Sequence, residues 1–298
     1  MKMSRIQCAE EFSKFSLQAF QSSEKDVQDD ETQMVQESVL ALSLKSASSD
    51  FVVSKALRLD NHTEEALKFR NAPNGNDRDA FRFKIAASRV YDASRSQTAE
   101  TVRNLSAKWD RKILFGKINS WELLEKLSLT IDASDNVLGS TSQYIHVLQV
   151  FEAMVADDVT DKRLLFLGLA HDIGKVLSLF GESDGNVDCS TFVIKPGVAG
   201  KGVNSSIVSW NHDEFGYQKL KDYLSQEMAW VVRYHSLYPL LVGGLDELLL
   251  PEEHEWKKLL QKLWEYDHLF KNSKHIPVVD AEYAKSIWHE YLPKEIMF

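Results

Sequence analysis

The stretch LLFLGLAHDIGKVLSLF, residues 164–180, carries the strongest signal in the sequence. Its first half is apolar enough to run through a protein core, yet His171 and Asp172 interrupt it. Burying an imidazole beside a carboxylate costs several kcal/mol unless the two groups are paired or bind a metal ion. Lys175 follows Asp172 by three residues and on a helix would share its face, within reach of a substrate oxygen. A lone His-Asp pair is explained equally well by a core histidine that its aspartate orients.

Four further segments place a side chain able to bind metal among apolar neighbours. His146 lies in STSQYIHVLQVFEAM, His212 in SWNHDEFGYQ, His235 at the end of EMAWVVRYH, and Asp267 in LWEYDHLFK. One such position is usually a satisfied core histidine, but five in one domain are difficult to explain that way. The sequence therefore predicts a buried two-metal site with the ligands His146, His171, Asp172, His212, His235 and Asp267.

The predicted ligand set restricts the metal more than the reaction. Four imidazoles and two carboxylates without a thiolate favour a divalent first-row metal such as iron, manganese or zinc. A carboxylate next to a ligand histidine can bridge two ions, which lets six residues hold a dinuclear centre. Two ions about 3.5–4 Å apart serve hydrolysis by activating water, or oxygen chemistry if they are redox-active. The spacing leaves both reactions open.

The remaining histidines are predicted not to bind metal. His268 follows Asp267 but should point away from the site by about 100° on a helix. Asp213 is expected to form a hydrogen bond with a ligand because it adjoins His212. The other histidines lie in polar surroundings or without a partner motif, and they are His62, His254, His275 and His289.

The length and composition of the chain exclude several classes of protein. The chain has 298 residues and a net charge of −9, which argues against binding nucleic acid because the required basic field is missing. The two cysteines, Cys8 and Cys189, lie far apart, so a reducing compartment is expected. No signal peptide is visible, and the apolar run 164–170 is far too short to span a bilayer. A cytoplasmic protein without a membrane partner is predicted.

The hydrophobic pattern predicts an all-α fold, a compact helical bundle with minor short strands. Residues 1–60 are rich in serine, glutamine and acidic residues and are predicted to form an N-terminal extension, partly helical or disordered. Residues 61–298 are predicted to form the catalytic domain, with a possible small ribbon at 191–195. The predicted helices are 80–92, 95–115, 120–130, 141–156, 161–180, 213–226, 227–238, 253–271 and 278–291.

Longer strings of the sequence resemble the myo-inositol oxygenase family, which are non-haem diiron members of the HD-domain superfamily. HDxGK is common to the whole superfamily, whereas SWxHDE, RxHSxYP and the closing aspartate-plus-lysine are more specific to this oxygenase branch. The strings run collinearly from about Phe69 to the C-terminus: FRN (69–71), RVY (89–91), QTAETV (97–102), HDIGK (171–175), SWNHDEF (209–215), RYHSLYP (233–239), GG (243–244) and YDHLFK (266–271).

The resemblance implies how the ligands divide between two irons. One iron would be held by His146, His171, Asp172 and Asp267, and the second by His212 and His235, with Asp172 bridging. In that family a mixed-valent Fe(II)/Fe(III) pair activates dioxygen, the co-substrate, for a four-electron cleavage of a ring C–C bond. The product from a cyclitol such as myo-inositol is a uronic acid.

The resemblance also implies a set of substrate contacts and one departure. Lys175 and Lys271 would act catalytically, as donors to substrate oxygens or as proton relays near iron. The family's Gly-Asp-Thr-Phe string becomes Cys-Ser-Thr-Phe at 189–192, and the loop after it is shorter. Replacing the charged acceptor by a hydroxyl would cost about 1.5–3 kcal/mol of polyol binding. The substrate-binding residues implied are Arg70, Asp132, Lys175, Ser190, Ser236 and Lys271.

Three alternatives stay open beside a cyclitol oxygenase. A diiron oxygenase acting on another small hydroxylated molecule, such as a hydroxyphosphonate, would use the two lysines to bind an anion. A metal-dependent phosphohydrolase is the commonest activity of HD-domain proteins, although the more specific strings speak against it. A metal-binding protein without catalysis is the fourth reading, and the complete ligand set speaks against that.

Overall fold

The computed structural model describes residues 87–135 and 137–298. The predicted extension 1–60 and the predicted substrate contact Arg70 lie outside the described residues. The described part is predominantly helical with two small sheets, which confirms the all-α prediction. Its α-helices are α1 (87–95), α2 (Ala99–Trp109), α3 (Ser120–Glu125), α4 (Gln143–Ala156), α5 (Lys162–Ala170), α6 (His212–Leu220), α7 (Gln226–Tyr234), α8 (Tyr238–Leu241), α9 (Pro251–Leu269) and α10 (Ala281–Tyr291).

Helix α5 lies at the centre of the bundle. Its residues from Leu164 to Ala170 are all buried, as expected for a helix that is apolar on every face. It contacts α4, α7, α9 and α10, so four of the elements that surround the core meet on one short segment. The C-terminal end of α5, where His171 and Asp172 follow, is therefore enclosed on several sides by other helices.

Side-chain caps define where most of the longer helices begin. A side-chain oxygen just before the helix accepts a hydrogen bond from a free N–H group of the first turn, which stabilises that start. The capping residues are Thr98, Asn119, Ser142, Asp161, Asn211, Ser225 and Asp280. Among these, Asn211 matters most for function because it begins α6 at His212.

Two antiparallel two-stranded ribbons complete the fold. Strand β1 (Lys117–Asn119) pairs with β4 (Glu295–Met297), with Ile118 opposite Ile296, and this pairing ties the C-terminus to the region between α2 and α3. Strand β2 (Val193–Lys195) pairs with β3 (Ile207–Val208), which confirms the small ribbon expected near 191–195. Within the described residues, no helix is both long and apolar enough to cross a membrane.

The single helix predicted for 161–180 is wrong. Helix α5 ends at Ala170, His171 and Asp172 form a turn, and a 3-10 helix follows at Ile173–Phe180. Neighbouring side chains on a regular α-helix diverge by about 100°, so the turn allows both His171 and Asp172 to face one site. The predicted helices 95–115 and 213–226 are also shorter in the structure, ending at Trp109 and Leu220.

A close approach of two backbones explains the glycine in HDIGK. A Cβ atom at Gly174 would lie 2.0 Å from the carbonyl oxygen of His212 and 3.0 Å from the backbone nitrogen of Gly216. Both contacts are with backbone, which no change of side-chain rotamer can relieve. Gly174 thus lets the 3-10 helix pack directly against the start of α6.

We expect Gly174→Ala to destabilise the fold by about 3 kcal/mol or more, because overpacking against backbone forces α6 to shift. The matched control is Gly216→Ala, where the nearest atom to the new Cβ lies 3.4 Å away, an ordinary contact. The control should change the free energy of unfolding by less than about 1 kcal/mol. Urea unfolding monitored by circular dichroism checks both values, and equal stability of the two variants would contradict this packing account.

Candidate metal centre

The structure brings all six predicted ligands together, although they come from five separate segments of the chain. His146 lies in α4, His212 is the first residue of α6, His235 caps the C-terminus of α7, and Asp267 lies in α9. The turn after α5 supplies the other two. Each of the six is almost completely buried: His146, His171, Asp172, His212, His235 and Asp267.

One half of the centre contains two histidines and two aspartates. Asp267 Oδ1 lies 2.9 Å from His146 Nε2 and 3.7 Å from His171 Nε2. Asp172 Oδ2 lies 3.6 Å from His146 Nε2 and 3.4 Å from His171 Nε2. Four donor atoms therefore face one another at separations suited to a single ion, because cis ligands with bonds of 2.0–2.2 Å lie about 3 Å apart.

The other half of the centre uses the second oxygen of the same aspartate. His212 Nε2 and His235 Nε2 lie 3.3 Å apart. Asp172 Oδ1 lies 3.2 Å from His212 Nε2 and 3.5 Å from His235 Nε2. The two carboxylate oxygens of Asp172 thus point to different histidine pairs, which is the arrangement of a carboxylate that bridges two ions.

Backbone carbonyls set the orientation of three imidazoles. In the neutral ring each Nδ1–H donates to a carbonyl, so the lone pair of Nε2 faces the centre, as metal ligation requires. The Nδ1–H donors and their acceptors are His171 to Gly168 O (3.2 Å), His212 to Val187 O (2.6 Å) and His235 to Val232 O (2.9 Å).

The electrostatics of the centre favour positive charge. Burial alone lowers the pKa of a histidine, but the carboxylate of Asp172 raises the pKa of His171 to about 10. Asp213 and Asp172 likewise raise the pKa of His235 against the effect of burial. In addition, the Nε2 atoms of His146 and His171 have no hydrogen-bond partner among the described residues. Metal ions fit this donor set, since they would satisfy the buried lone pairs and displace the protons.

Two lysines beside the centre are each paired with an aspartate. Lys175 Nζ lies 2.7 Å from Asp132 Oδ2 and 3.0 Å from Asp172 Oδ2. Lys271 Nζ lies 2.8 Å from Asp135 Oδ2 and 3.5 Å from Asp267 Oδ1. Each lysine therefore connects an aspartate outside the donor set to one of the predicted ligands.

The charges of these pairs are stable across the physiological pH range. Burial by itself lowers the pKa of a lysine, but Asp132 and Asp172 raise the pKa of Lys175 well above its ordinary value. Against the opposing effect of burial, Lys271 lowers the pKa of Asp135 to about 2. Both lysines are accordingly cationic and both partner aspartates anionic near neutral pH.

A cavity of about 140 Å³ opens beside the centre. Its walls include five of the residues predicted to contact substrate: Asp132, Lys175, Ser190, Ser236 and Lys271. The hydroxyl of Ser236 donates to Asp213 Oδ2 at 2.8 Å. The predicted substrate contacts that lie in the described residues are therefore brought to one place.

The cavity also contains residues that the sequence analysis missed. Asp135 was detectable, because it stands three residues after Asp132 in IDASDN and pairs with the second lysine. Tyr91 belongs to the RVY string, but nothing in its spacing indicated a cavity wall. Cys189, a buried free thiol, is also on the wall.

The prediction that His268 points away from the site is wrong. Its ring stacks on Trp264 with centroids 4.5 Å apart, and its Nδ1 donates to the carbonyl of Trp264 at 3.2 Å. These contacts turn the imidazole along the helix so that it lines the cavity beside Asp267. The angular spacing of residues on a helix predicts the direction of the Cα–Cβ bond. It does not predict the side-chain rotamer, which here is set by stacking on Trp264.

The fold and the centre together define a helical protein with buried histidine and aspartate groups able to hold metal ions. The model of the family described as myo-inositol oxygenase matches residues 86–201 and 198–298. These two overlapping matches cover well over half of the chain. The chain belongs to the myo-inositol oxygenase family, and the resemblance inferred from the sequence strings is thereby confirmed.

Individual relatives agree with this assignment. Inositol oxygenase 4 of Arabidopsis thaliana is 28% identical over 243 residues, which span 67% of this chain and 74% of that protein. A probable inositol oxygenase of Oryza sativa subsp. japonica is 29% identical over 238 residues, 67% of this chain and 77% of that protein. The inositol oxygenase of Danio rerio is 23% identical over 279 residues, 80% of this chain and 96% of that protein. An oxygenase activity of the inositol oxygenase kind follows for this chain.

We expect added ferrous ion under anaerobic conditions to stabilise the protein, because the folded donor set binds metal and the unfolded chain largely does not. Each ion should add about 2.7 kcal/mol at a free concentration of a hundred times its Kd. His171→Ala removes a ligand of the ion that would lie beside His146 and Asp267, so that ion should no longer load. The ion beside His212 and His235 should bind more weakly, because Asp172 is shared between the two ions. Urea unfolding with and without metal, together with metal analysis after desalting, measures this.

The control for that variant is His254→Ala, which removes an exposed histidine of α9. It should bind as much metal as the unaltered protein and gain the same stability. Two equivalents of iron retained by His171→Ala would show that the ligands are misassigned.

Proposed function

We propose that this protein is a non-haem diiron oxygenase that cleaves a ring C–C bond of a cyclitol such as myo-inositol. One dioxygen is consumed for each substrate, and myo-inositol would give a uronic acid and water in a four-electron oxidation. The observation that carries the proposal is the orientation of Asp172, whose two oxygens face separate histidine pairs. A centre that held a single ion would not require both oxygens of Asp172 to face histidine pairs.

The donor set fits iron as well as manganese or zinc, and oxygen chemistry requires a redox-active ion. Nitrogen and oxygen ligands without a thiolate suit redox-active first-row ions. His146, His171, Asp172 and Asp267 would hold one iron, and His212, His235 and Asp172 the other. When bound, a mixed-valent pair would supply dioxygen activation and Lewis-acid binding of a substrate diol.

The two lysines are suited to position the substrate. Both lysines line the cavity, and the Nζ atom of each is held by an aspartate at 2.7–2.8 Å. Lys175 is further fixed by the side-chain oxygen of Gln143 at 3.0 Å. The three N–H groups of Lys175 are thereby engaged with Asp132, Asp172 and Gln143, so a substrate oxygen would replace one of these acceptors. A lysine already held in place would bind that oxygen without first losing rotamer freedom, which favours a defined binding orientation. Lys175 and Lys271 are thus proposed as the catalytic donors next to the irons.

The charge balance of the cavity favours a neutral polyol over a hydroxyphosphonate. The positive charges of Lys175 and Lys271 are already compensated by Asp132 and Asp135. A phosphonate would have to compete with these buried carboxylates for the ammonium groups. The hydroxyls of a cyclitol can instead donate to the aspartates and accept from the lysines.

The decisive experiment compares substrates directly. Protein loaded anaerobically with iron and then exposed to limited oxygen should give a mixed-valent EPR signal that changes shape when myo-inositol is added. Oxygen consumption should follow with cyclitols and stay at background with hydroxyphosphonates. A preference for hydroxyphosphonates would reject the cyclitol assignment, and zinc or manganese without a spin-coupled signal would reject the oxygenase.

Substitutions of Ser190 test whether this part of the cavity wall limits the affinity for the polyol. Ser190→Asp restores a charged acceptor at a position that lines the cavity, and charged hydrogen bonds contribute about 1.5–3 kcal/mol. The KM for myo-inositol in oxygen-consumption assays should fall by about tenfold or more. Ser190→Asn, which has the same size without the charge, is the control and should show little of this gain. An unchanged KM in Ser190→Asp would count against this role for the position.

A further inference from the structure

One loop carries the partners of both cavity lysines. Asp132 pairs with Lys175. Three residues later, Asp135 pairs with Lys271. Ser134 shapes the loop between them by donating its N–H and its hydroxyl to Asp132 Oδ1, both at 2.7 Å. These two bonds stay within the loop, so the position of both aspartates at the cavity also depends on the contacts that tie the loop to other segments.

The carboxyl group of Asp188 supplies such a tie. Ala133, which lies between the two aspartates, donates its N–H to Asp188 Oδ2 at 3.2 Å. Asp188 is 2% exposed and follows a 3-10 helix at Asp184–Asn186. Its own N–H donates to the carbonyl of Asp184 at 2.7 Å. A buried acceptor on a hydrogen-bonded turn therefore holds the middle of the loop.

Asp188 can serve in this way because it is neutral. Burial is the main cause that raises the pKa of Asp188 well above its ordinary value, and the charges of Asp132 and Asp184 raise it further. Lys175 acts in the opposite direction, but its ammonium group already donates to two other carboxylates. Asp188 is therefore a carboxylic acid near neutral pH. Its Oδ2 accepts from the loop without placing a further negative charge beside Asp132.

We propose that Asp188 is a positioning residue for substrate binding, because its carboxyl group holds the loop that carries Asp132 and Asp135. It acts through the loop and does not need to touch the substrate. The inference rests on the proposed function, in which the hydroxyls of a cyclitol donate to these aspartates and accept from the lysines that they hold. A loop fixed before the substrate arrives keeps these groups in the binding orientation, which lowers the entropy cost of binding.

Two substitutions of Asp188 separate the acceptor from the charge. Asp188→Ala removes the acceptor of the Ala133 N–H, so the KM for myo-inositol should rise about fivefold to tenfold, as for one lost hydrogen bond. Asp188→Asn keeps a carbonyl oxygen and, like the neutral acid, carries no charge, so its KM should stay within about twofold of that of the unaltered protein. Both variants should load as much iron as the unaltered protein, because no predicted metal ligand lies in the loop.

Asp280→Ala is the matched control, since it also removes a carboxylate that accepts backbone N–H groups. Asp280 is exposed and accepts from Glu282 and Tyr283 at the start of α10. This variant should lose stability but keep the KM. Asp188→Ser, whose hydroxyl is one bond shorter than the carboxyl oxygen, should instead behave like Asp188→Ala. An unchanged KM in the alanine and serine variants, or a KM raised equally in Asp188→Asn, would overturn the proposal.

Amide hydrogen exchange tests the same contact without any turnover. Peptides that contain Ala133 should exchange about fivefold to tenfold faster in Asp188→Ala than in the unaltered protein, whereas peptides from α5 should keep their protection. Asp188→Asn and Asp280→Ala should leave the exchange of the loop unchanged. Equal exchange of the loop in Asp188→Ala and in the unaltered protein would overturn this inference alone. Faster exchange of the loop, in a protein that does not consume oxygen with myo-inositol, would overturn the proposed function and leave the role of Asp188 in the loop intact.

Discussion

The rest of the centre depends on the contacts that the carboxylate of Asp172 makes with two pairs of histidines. It stands between two histidine pairs, 3.2–3.6 Å from all four Nε2 atoms, and Lys175 donates to it at 3.0 Å. An anion buried to this extent is tolerated only among compensating cations. Lys175 is one such cation. Backbone carbonyls orient three imidazoles so that their Nε2 lone pairs could bind metal cations beside Asp172.

The same requirement explains why the site contains two lysine–aspartate pairs. Lys175 and Lys271 each connect a predicted ligand to an aspartate on the cavity wall, so the positive charge of each lysine is compensated by carboxylates. A lysine whose charge is compensated in this way attracts an anionic substrate less strongly, which suits a substrate made of hydroxyl groups. We therefore propose that these pairs and Ser190, more than the metal ligands, decide which substrate binds.

Particular residues show why sequence reasoning succeeded at the ligands and failed elsewhere. The six ligands were recognisable because each is a polar side chain in an apolar run, a pattern that burial makes costly unless the chain uses it. The division of 161–180 into a helix, a turn and a 3-10 helix was not recognisable, since its apolar pattern continues through the break. The orientation of His268 depends on stacking against Trp264, and that of Asp213 on donors from two distant segments. Both are long-range or side-chain effects that a helical period does not contain.

The sequence alone determined the fold class, the family and the residues that can bind metal, because apolar periodicity and the order of polar interruptions are properties of the chain itself. Only the tertiary structure decided how those residues are shared. It directed the two oxygens of Asp172 to different histidine pairs, gave each lysine its own aspartate, and brought Asp188 to the backbone of the loop that carries those aspartates. The physical reason is that spacing along a chain specifies which side chains are available, whereas the direction of a carboxylate is set by the donors that the packed fold places around it.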